Sequence, residues 1–372
     1  MNTESTSHPR SDHLKYFAVY LPQFHPIPEN NDWWGPGFTE WTNVTKSKPL
    51  FRGHYQPRIP RDLGFYDLRY HPTMIKQAEL ARSYGIDGFL FYHYWFNGKQ
   101  LIEKPVNQWR DSGKPDFPFA LFWANETWSR RWIGDDSKIL IEQTYSEADD
   151  HRHCAYLVHM FKDERYIRID NRPVFIIYRP QHHEDIGRFI RILRQACTDA
   201  GLPPAYVIGS NSHSRWKDLM PLGLDCNLDF QPKIGRLPDQ EKDGWHWRRF
   251  FRNIYRRFGL HPYKVYDEVR IRPLLEGKLF KPHHIPSLIV SWDNSPRRGK
   301  EGIVIHNSSP ENYGNSLDRI TRREITTPGS HHIVVINAWN EWAEGNYLEP
   351  DQKWGHAYLQ KTLEIKKKYT NG

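Results

Sequence analysis

The chain has 372 residues, of which 38% are hydrophobic and 15% aromatic, and its formal net charge at pH 7 is +8. This length suits one large α/β domain, since α/β barrels commonly run to about 250 residues or more. The three cysteines are scattered and show no metal-ligand or C-x-x-C spacing, which argues against a disulfide framework and indicates a reducing compartment.

The charge and the N-terminal segment bear on partners and location. The positive charge favours anionic partners such as phosphates, acidic glycans or a lipid surface, and no nucleic-acid partner is expected. Residues 1–14 are polar and are predicted to be a disordered lead without the apolar core of a signal peptide. No stretch approaches the roughly 18 apolar residues of a membrane span. The sequence therefore predicts a cytoplasmic protein, at most in contact with the inner face of the membrane.

Eight short apolar runs have the length and the boundaries of buried strands, and helical patterns separate several of them. The predicted strands cover residues 16–21, 86–92, 119–123, 173–178, 205–209, 224–230, 287–292 and 333–336, and the predicted helices cover residues 71–84, 185–200 and 354–368. This alternation predicts a (β/α)8 TIM barrel of the α/β class. Residues 15–372 are expected to form this single catalytic domain.

Two connections are too long to be simple links. The loop over residues 29–60 carries three tryptophans, and such a loop either forms a wall of a ligand cleft or covers the barrel end. Residues 232–286, between strands six and seven, form a basic insertion. Within it, residues 247–258 place apolar side chains on one helical face and arginines mostly on the other. Such a helix lies on an anionic membrane, grips phosphates or, more commonly, packs on its own domain.

The end of the last strand carries the strongest chemical signal. Four β-branched residues, 333–336, are followed within a few positions by Glu341 and Glu344, three apart in an aromatic turn. In a sugar-cleaving site, one acid protonates the leaving oxygen and the other acts on the opposite side of the reacting carbon. The alternative is that both are surface turn residues.

Polar and aromatic side chains also follow the other predicted strands, and in a barrel the carboxyl ends of all strands meet on one face. His93 is equally compatible with a core histidine, and Asp293 with a residue that orients a loop. The residues predicted to bind substrate are His25, Trp33, Trp34, Glu40, Trp41, Tyr92, His93, Tyr94, Trp95, Asn125, Glu126, Trp292, Asp293, Trp339 and Asn340.

Familiar cofactor signals are missing from the sequence. The adjacent histidine pairs at 182–183, 283–284 and 331–332 point apart on any regular element, so no metal site is predicted. The chain has no G-x-G-x-x-G, Walker or G-x-S-x-G motif. No cofactor is expected, and an ordinary sugar-nucleotide transferase is disfavoured.

Several long motifs resemble a known family. They are YLPQFHPIPEN (20–30), WWG (33–35), GFTEWTNV (37–44), YHYWF (92–96), WANE (123–126) and WNEWAEG (339–345). These motifs resemble the WbsX family, which is related to glycoside hydrolase family 99 and is associated with polysaccharide and lipopolysaccharide O-antigen biosynthesis. The likeness runs from about residue 16 to residue 358.

The resemblance implies a (β/α)8 barrel that cleaves α-mannosides at internal bonds of the glycan, with retention of the anomeric configuration. It implies that Glu341 is the base for the sugar 2-hydroxyl, giving a 1,2-anhydro intermediate, and that Glu344 is the acid for the departing oxygen. Glu344 would then have a pKa raised by its aromatic surroundings and by charged Glu341. The hydrolase motif has histidine where this chain has Ala343.

Three hypotheses follow for the function. The first is a retaining glycosidase acting on an oligosaccharide, a polysaccharide or its lipid-linked precursor. The second is a WbsX-type glycosyltransferase that uses the same glutamates with a sugar hydroxyl as acceptor. The third is a non-catalytic carbohydrate-binding protein, against which the two acids argue, since binding alone needs no acid pair.

Overall fold

The computed structural model of the chain describes most of its length. The described residues are 10–129, 139–212, 217–238, 250–251, 254, 263–276 and 283–370. The predicted basic helix over residues 247–258 lies largely outside the described residues. Of the predicted disordered lead, residues 1–9 also lie outside them.

Eight parallel strands close into a barrel, which confirms the predicted architecture. The strands pair in chain order, and the first closes against the last: Lys15 lies opposite Ile333 and Ala18 opposite Ile336. The barrel strands are β1 Lys15–Tyr20, β2 Gly88–Phe96, β3 Phe119–Trp123, β4 Arg172–Ile177, β5 Tyr206–Ser210, β6 Cys226–Asp229, β7 His284–Ile289 and β8 Ile333–Asn337.

Helices surround the barrel and form part of the loops at its carboxyl end. They are α1 Pro28–Trp34, α2 Glu40–Lys46, α3 His71–Ser83, α4 Lys104–Asp111, α5 Glu147–Phe161, α6 Ile186–Asp199, α7 Glu268–Glu276, α8 Ser295–Arg298, α9 Pro310–Thr326 and α10 Ala357–Tyr369. α6 begins where the Asp185 carboxylate accepts the N–H of Arg188 at 2.8 Å, an N-cap that satisfies one orphan donor. Within the described residues, no helix combines the length and the apolar character needed to cross a membrane.

Short strands and single turns complete the described fold. The short strands are Lys99–Leu101, Trp128–Ser129, Ile139–Ile141, Arg168–Ile169, Lys264–Asp267, Trp292–Asp293, Ile303–His306, Asn340–Glu341 and Asn346–Tyr347. The 3-10 turns are Pro180–His182, Met220–Leu222, Ile234–Arg236, Gly299–Glu301 and Trp342–Glu344.

The seventh strand starts three residues before the predicted position. β7 ends at Ile289, whereas Trp292–Asp293 pairs with Ile303–His306 in a separate three-stranded sheet. The sequence run over residues 287–292 is almost continuously apolar, so periodicity cannot locate the end of the strand. The small sheet has its own apolar cluster, in which Trp292 is buried, and it fixes the carboxyl side of the insertion to the barrel.

The end of the predicted disordered lead contacts the base of the barrel. The Ser11 N–H donates to the Tyr369 carbonyl at 2.8 Å, and Leu14 is buried in the main core. The last residues of the predicted lead, Ser11 and Leu14, therefore belong to the folded domain.

The main core lies between the strands and the helices. On β2, Phe89 and Phe91 point outward, and their ring centroids lie 5.9 and 5.2 Å from that of Trp109 on α4. Since side chains alternate along a strand, Leu90 and Tyr92 belong to the opposite, inward row. The inward row leads to the carboxyl end of the barrel.

Phe89→Ala is expected to lower the free energy of unfolding by about 3–5 kcal/mol, because it removes a fully buried ring from this layer. The matched control is Phe65→Ala, at a ring that is 51% exposed, with an expected cost of about 1 kcal/mol or less. Urea denaturation of both variants measures the difference. Equal losses would mean that the layer around Phe89 is not the stabilising core.

Candidate active site

A tight turn after β8 places the two predicted acids. Asn340–Glu341 pairs with Asn346–Tyr347, and residues Trp342–Glu344 form one helical turn between them. The turn closes at Gly345, whose φ is +57°, and a Cβ there would lie 2.8 Å from Cζ of Arg58. Glycine is therefore required by both conformation and space.

Arg297 joins the two acids to a third. Its Nη2 lies 2.8 Å from Oε2 of Glu341, and its Nη1 lies 2.6 Å from Oε1 of Glu344. Its Nε lies 2.7 Å from Oε1 of Glu40, the first residue of α2. One guanidinium group thus holds three carboxylates, a geometry that suits its planar fork of donors. We call Glu341 and Glu344 the glutamate pair.

Asp293 fixes the helix that carries Arg297. Its Oδ1 accepts the N–H of Ser295 at 3.0 Å, and its Oδ2 accepts from His54 Nε2 at 2.8 Å and from Gln56 Nε2 at 2.6 Å. Burial opposes its charge, but the hydrogen bond from His54 and the charge of Arg58 hold the pKa of Asp293 below its usual value. Asp293 is fully buried and supports the site, which differs from its predicted role as a substrate contact.

Burial dominates the electrostatics of the glutamate pair. It raises the pKa of Glu341 to about 8, although the charge of Arg297 acts in the opposite direction. Burial also raises the pKa of Glu344, again against the charge of Arg297, and the charge of Glu40 adds to the rise. The two positions differ in access, since 22% of the Glu344 side chain is exposed and only 7% of the Glu341 side chain. The raised pKa thus extends to both acids, whereas the sequence predicts it for Glu344 alone.

Four aromatic rings line the barrel interior beside the glutamate pair, and we call them the aromatic floor. Ring centroids of Tyr92 and Phe122 are 5.4 Å apart, those of Phe122 and Tyr178 5.9 Å, and those of Phe122 and Phe230 5.2 Å. Tyr92 and Tyr178 are half-buried, whereas the two phenylalanines are buried. Burial, and then the negative charge of Glu341, raises the pKa of Tyr92 well above its usual value, so its hydroxyl stays protonated.

Tyr94 belongs to the same inward row. Its ring packs edge-on against Trp128 at 5.0 Å, and burial followed by the charge of Glu341 raises its pKa well above the usual value. Of the predicted site residues, the structure therefore brings together Glu40, Tyr92, Tyr94 and the glutamate pair.

His93 and Trp95 lie on the outer side of β2, contrary to their prediction as substrate contacts. His93 Nε2 is 2.9 Å from Nε2 of His153 on α5, and Trp95 Nε1 donates to Asp149 at 3.1 Å. Burial lowers the pKa of His93 to about 3, which keeps it neutral. Because side chains alternate, the residues between the inward tyrosines must face the helices. His93 is the core histidine that the sequence left as an alternative.

Three further predicted contacts support the turn from behind. Asn340 clamps the end of β1, since its Oδ1 accepts the Leu21 N–H at 2.7 Å and its Nδ2 donates to the Leu21 carbonyl at 3.0 Å. Trp41 donates through Nε1 to the Tyr66 carbonyl at 2.8 Å, and Trp339 is fully buried. Asn340 and Trp41 form their hydrogen bonds inside the protein and Trp339 is buried, so these side chains support the site without lining it.

Asn125 and Glu126 of the WANE motif and Trp292 likewise make their contacts within the protein. The Asn125 amide accepts the Arg179 N–H at 2.7 Å and donates to the Arg179 carbonyl at 2.9 Å, which ties the ends of β3 and β4 together. Glu126 binds Arg179 Nε at 2.9 Å at a partly exposed position. Trp292 lies in the core of the small sheet.

The remaining predicted residues lie on the long loop after β1. His25 is fully buried, its Nδ1 lies 3.1 Å from the Pro22 carbonyl, and burial lowers its pKa to about 4. Trp33 packs edge-on against Trp128 at 5.9 Å, and Trp34 lies 5.8 Å from Phe38. Both tryptophans are half-buried.

A family model described as Glycosyltransferase WbsX matches residues 16–362. The chain belongs to the WbsX family. This confirms the family that the motifs indicate, and it agrees with the prediction of an enzyme that acts on glycosidic bonds.

Relatives and solved structures complete the comparison. Two proteins described as uncharacterized protein WxcX, from two strains of Xanthomonas campestris pv. campestris, are 39% and 40% identical over 359 residues, which is 93% of this chain and 49% of each relative. The chain thus spans about half the length of these curated relatives. A solved glycoside hydrolase-like protein has a TM-score of 0.58 at 15% identity, covering 100% of this chain and 98% of its own. The GH99 endo-alpha-mannosidase from Bacteroides thetaiotaomicron has a TM-score of 0.57 at 12% identity, covering 97% and 98%. At these identities, the likeness shows the fold.

Sequence reasoning missed several residues of this WbsX-family site. Arg297 lies in a short helix that begins six residues after β7 and has no family motif around it. Tyr178 directly follows β4, so the strand-end rule that selected other residues could have found it. Phe122 is an inward member of β3, which an explicit count of alternation would have placed, and Phe230 directly follows β6, so the strand-end rule could have found it.

A buried carboxylate beneath the turn was also missed. Glu349 accepts from Trp342 Nε1 at 2.6 Å, from Gln77 Nε2 at 2.6 Å and from the Tyr66 hydroxyl at 3.0 Å. Burial raises the pKa of Glu349 to about 7, although these hydrogen bonds act against the rise. Since Trp342 separates the members of the glutamate pair, Glu349 fixes the turn from inside the core.

The stability of wild type relative to Glu349→Gln is expected to fall as pH rises from 5 to 7. Below the unfolded-state pKa near 4.5 both states hold the proton, but between that value and about 7 only the folded state retains it. The stabilisation is therefore lost as pH rises through the folded-state pKa, by about 1–3 kcal/mol. Urea denaturation at pH 5, 6 and 7 measures the difference, and other acids cancel because both proteins contain them. A difference that is constant with pH would contradict this titration.

Proposed function

We propose that this WbsX-family protein is a retaining carbohydrate-active enzyme. It uses Glu341 and Glu344 to cleave internal bonds of α-linked, mannoside-like glycans. The observation that carries the proposal is that one guanidinium group holds both carboxylates beside the aromatic floor, at the carboxyl end of a closed barrel. Active sites of such barrels lie at this end. Enzymes that cleave glycosidic bonds commonly use a pair of carboxyl groups of this kind.

The proposed reaction has two steps. In the first, Glu341 takes the proton of the sugar 2-hydroxyl, O2 attacks C1, and the C1–O glycosidic bond breaks while Glu344 protonates the leaving oxygen. In the second, Glu344 takes a proton from water, whose oxygen attacks C1, the C1–O2 bond opens, and Glu341 returns the proton to O2. Each glutamate ends in its starting state, so the pair is a catalyst.

The access of the two acids supports this division of roles. Glu344 is the more exposed member, and a leaving group or an incoming water needs that access. The buried Glu341 acts on a hydroxyl of the sugar held against the site. The reaction starts from a singly protonated pair with the proton on Glu344, and a pair this close titrates as one unit.

The aromatic floor supports a carbohydrate as the substrate. Tyr92 and Tyr178 offer half-buried ring faces next to the acids, and the half-buried Trp33 and Trp34 add a wall. A sugar ring has apolar C–H faces that pack on such rings, while its hydroxyls reach the carboxylates. We propose an oligosaccharide or polysaccharide substrate, including a lipid-linked one.

Glycosyl transfer is the second candidate, and the family description favours it. The same pair would transfer the sugar when an acceptor hydroxyl replaces water in the second step. The position of Ala343, where the related hydrolases have histidine, is fully buried, so this difference alters the packing behind the turn. For either reaction we propose a cytoplasmic protein whose basic insertion touches the inner face of an anionic membrane. The half-exposed Phe250 and Phe251 support this contact.

Glu344→Gln is expected to lower the turnover rate by at least about 100-fold and to leave the affinity for the ligand within a few-fold of wild type. The amide keeps the shape of the side chain but can neither give up nor accept the proton. The measurement is product analysis with a panel of α-linked oligosaccharides, with and without a sugar-nucleotide donor. Calorimetry or fluorescence titration measures the binding of the same oligosaccharides.

Glu276→Gln is the matched control, since Glu276 is also paired with an arginine but lies on α7. Free reducing sugar formed without nucleotide by wild type and the control, and not by Glu344→Gln, would establish hydrolysis. Chain extension that requires the nucleotide would assign transfer. Unchanged turnover in Glu344→Gln would overturn the proposed role of the pair.

A further inference from the structure

The carboxylates of Glu40, Glu341 and Glu344 together carry more negative charge than Arg297 can balance. Glu40 is fully buried, and the side chains of Glu341 and Arg297 are each only 7% exposed. Three carboxylates with one guanidinium would carry two net negative charges. Water is largely excluded here, and such an excess is relieved by binding a proton.

The other groups facing the glutamate pair do not remove this excess. The tyrosines stay neutral because burial raises their pKa, and Arg298 acts on Glu344 only through its electric field. These titratable and charged groups are Tyr92 and Tyr94 of β2, Tyr178 after β4 and Arg298 of α8, and the exposed Lys46 of α2 interacts with Glu40 in the same way.

The hydrogen bonds of Glu40 also determine the orientation of the Arg297 guanidinium group. Glu40 begins α2, its own N–H donates to the Gln23 carbonyl at 3.1 Å, and its Oε1 binds Arg297 Nε at 2.7 Å. With Nε engaged, the planar group has one orientation that directs Nη1 and Nη2 to the pair. Glu40 follows β1, Arg297 follows β7 and the glutamate pair follows β8, and β8 pairs with both β1 and β7 in the barrel.

We propose that Glu40 is a positioning residue that orients Arg297 and, by its charge, keeps one proton on the Glu341/Glu344 pair. This inference rests on the proposed function, because it supplies the proton that Glu344 donates. It assigns Glu40 a role different from substrate binding. Its second oxygen, Oε2, is buried without a hydrogen-bond partner among the described residues, and this leaves its charge uncompensated on that side.

Glu40→Gln is the direct test, since the amide preserves shape and removes only the charge. Without that charge, Arg297 stabilises the ionised pair more strongly, so the carboxyl titrations of the pair are expected to shift down by about one pH unit or more. Arg297→Gln is expected to shift them in the opposite direction. The readout without substrate is carbon-13 NMR of protein labelled at the glutamate carboxyl carbon, followed from pH 4 to 10.

The assignment of the signals comes from Glu341→Gln and Glu344→Gln, and Glu276→Gln is the control that should leave the pair unshifted. Circular dichroism at each pH confirms that Glu40→Gln is folded. If Arg297→Gln does not fold, the direction of the titration shift is tested by Glu40→Gln alone. Where an oligosaccharide is turned over, the pH–rate profile of Glu40→Gln should move down by the same amount.

The outcomes separate this inference from the proposed function. A downward shift in Glu40→Gln supports the inference even if no glycan is cleaved, in which case the proposed function alone fails. An unshifted titration overturns the inference, whatever the activity. An unshifted titration with lost oligosaccharide binding would overturn it and assign Glu40 to substrate recognition instead.

Discussion

A carboxylate loses hydration free energy when it is buried, and this chain gathers Glu40, Glu341 and Glu344 around one arginine at the carboxyl end of its barrel. Arg297 is the compensating charge, and its position depends on structure well outside the pair. The Asp293 carboxylate accepts the N–H of Ser295 at the start of the helix of Arg297, while His54 and Gln56 hold Asp293. The loops after β1 and β7 are therefore coupled through hydrogen bonds to the turn after β8. The site is a property of the closed barrel and of no single motif.

The sequence predicts the structure well where a residue type has a single physical role. Eight apolar runs predict eight strands because buried parallel strands need continuous hydrophobicity. The largest displacements are at β7, which is shifted by three residues, and at the end of β2, which lies four residues beyond the predicted end. The turn with Glu341 and Glu344 is likewise visible, because two acids in an aromatic turn have little reason to follow a buried strand. Ion pairs are different. Arg297 lies more than 250 residues from Glu40, and no local pattern marks which of the many arginines will meet a buried acid.

The tryptophans illustrate the limit of composition as evidence. An aromatic-rich chain suggests a sugar cleft, yet Trp41, Trp123, Trp339 and Trp342 are all buried in the core. Only the half-buried rings can meet a ligand, and which rings those are depends on the strand face. Tyr92 and Tyr94 line the interior while His93 and Trp95, their immediate neighbours, pack against α5. Of the four residues of this strand that were predicted to bind substrate, two face the barrel interior and two face the helices.

The buried carboxylates also connect stability to chemistry. Glu349 sits beneath Trp342 and binds its indole N–H, and Trp342 stacks on Tyr347 at 3.8 Å across the hairpin. A hydrogen-bonded acid in the core thus holds the backbone that carries Glu341 and Glu344 above it. Apolar side chains at these positions would avoid the cost of burying a charged group, but they would leave the indole N–H without an acceptor. Retaining a raised-pKa acid there is consistent with a turn whose geometry matters more than its stability, because a small displacement would separate Glu341 and Glu344 from the same guanidinium group.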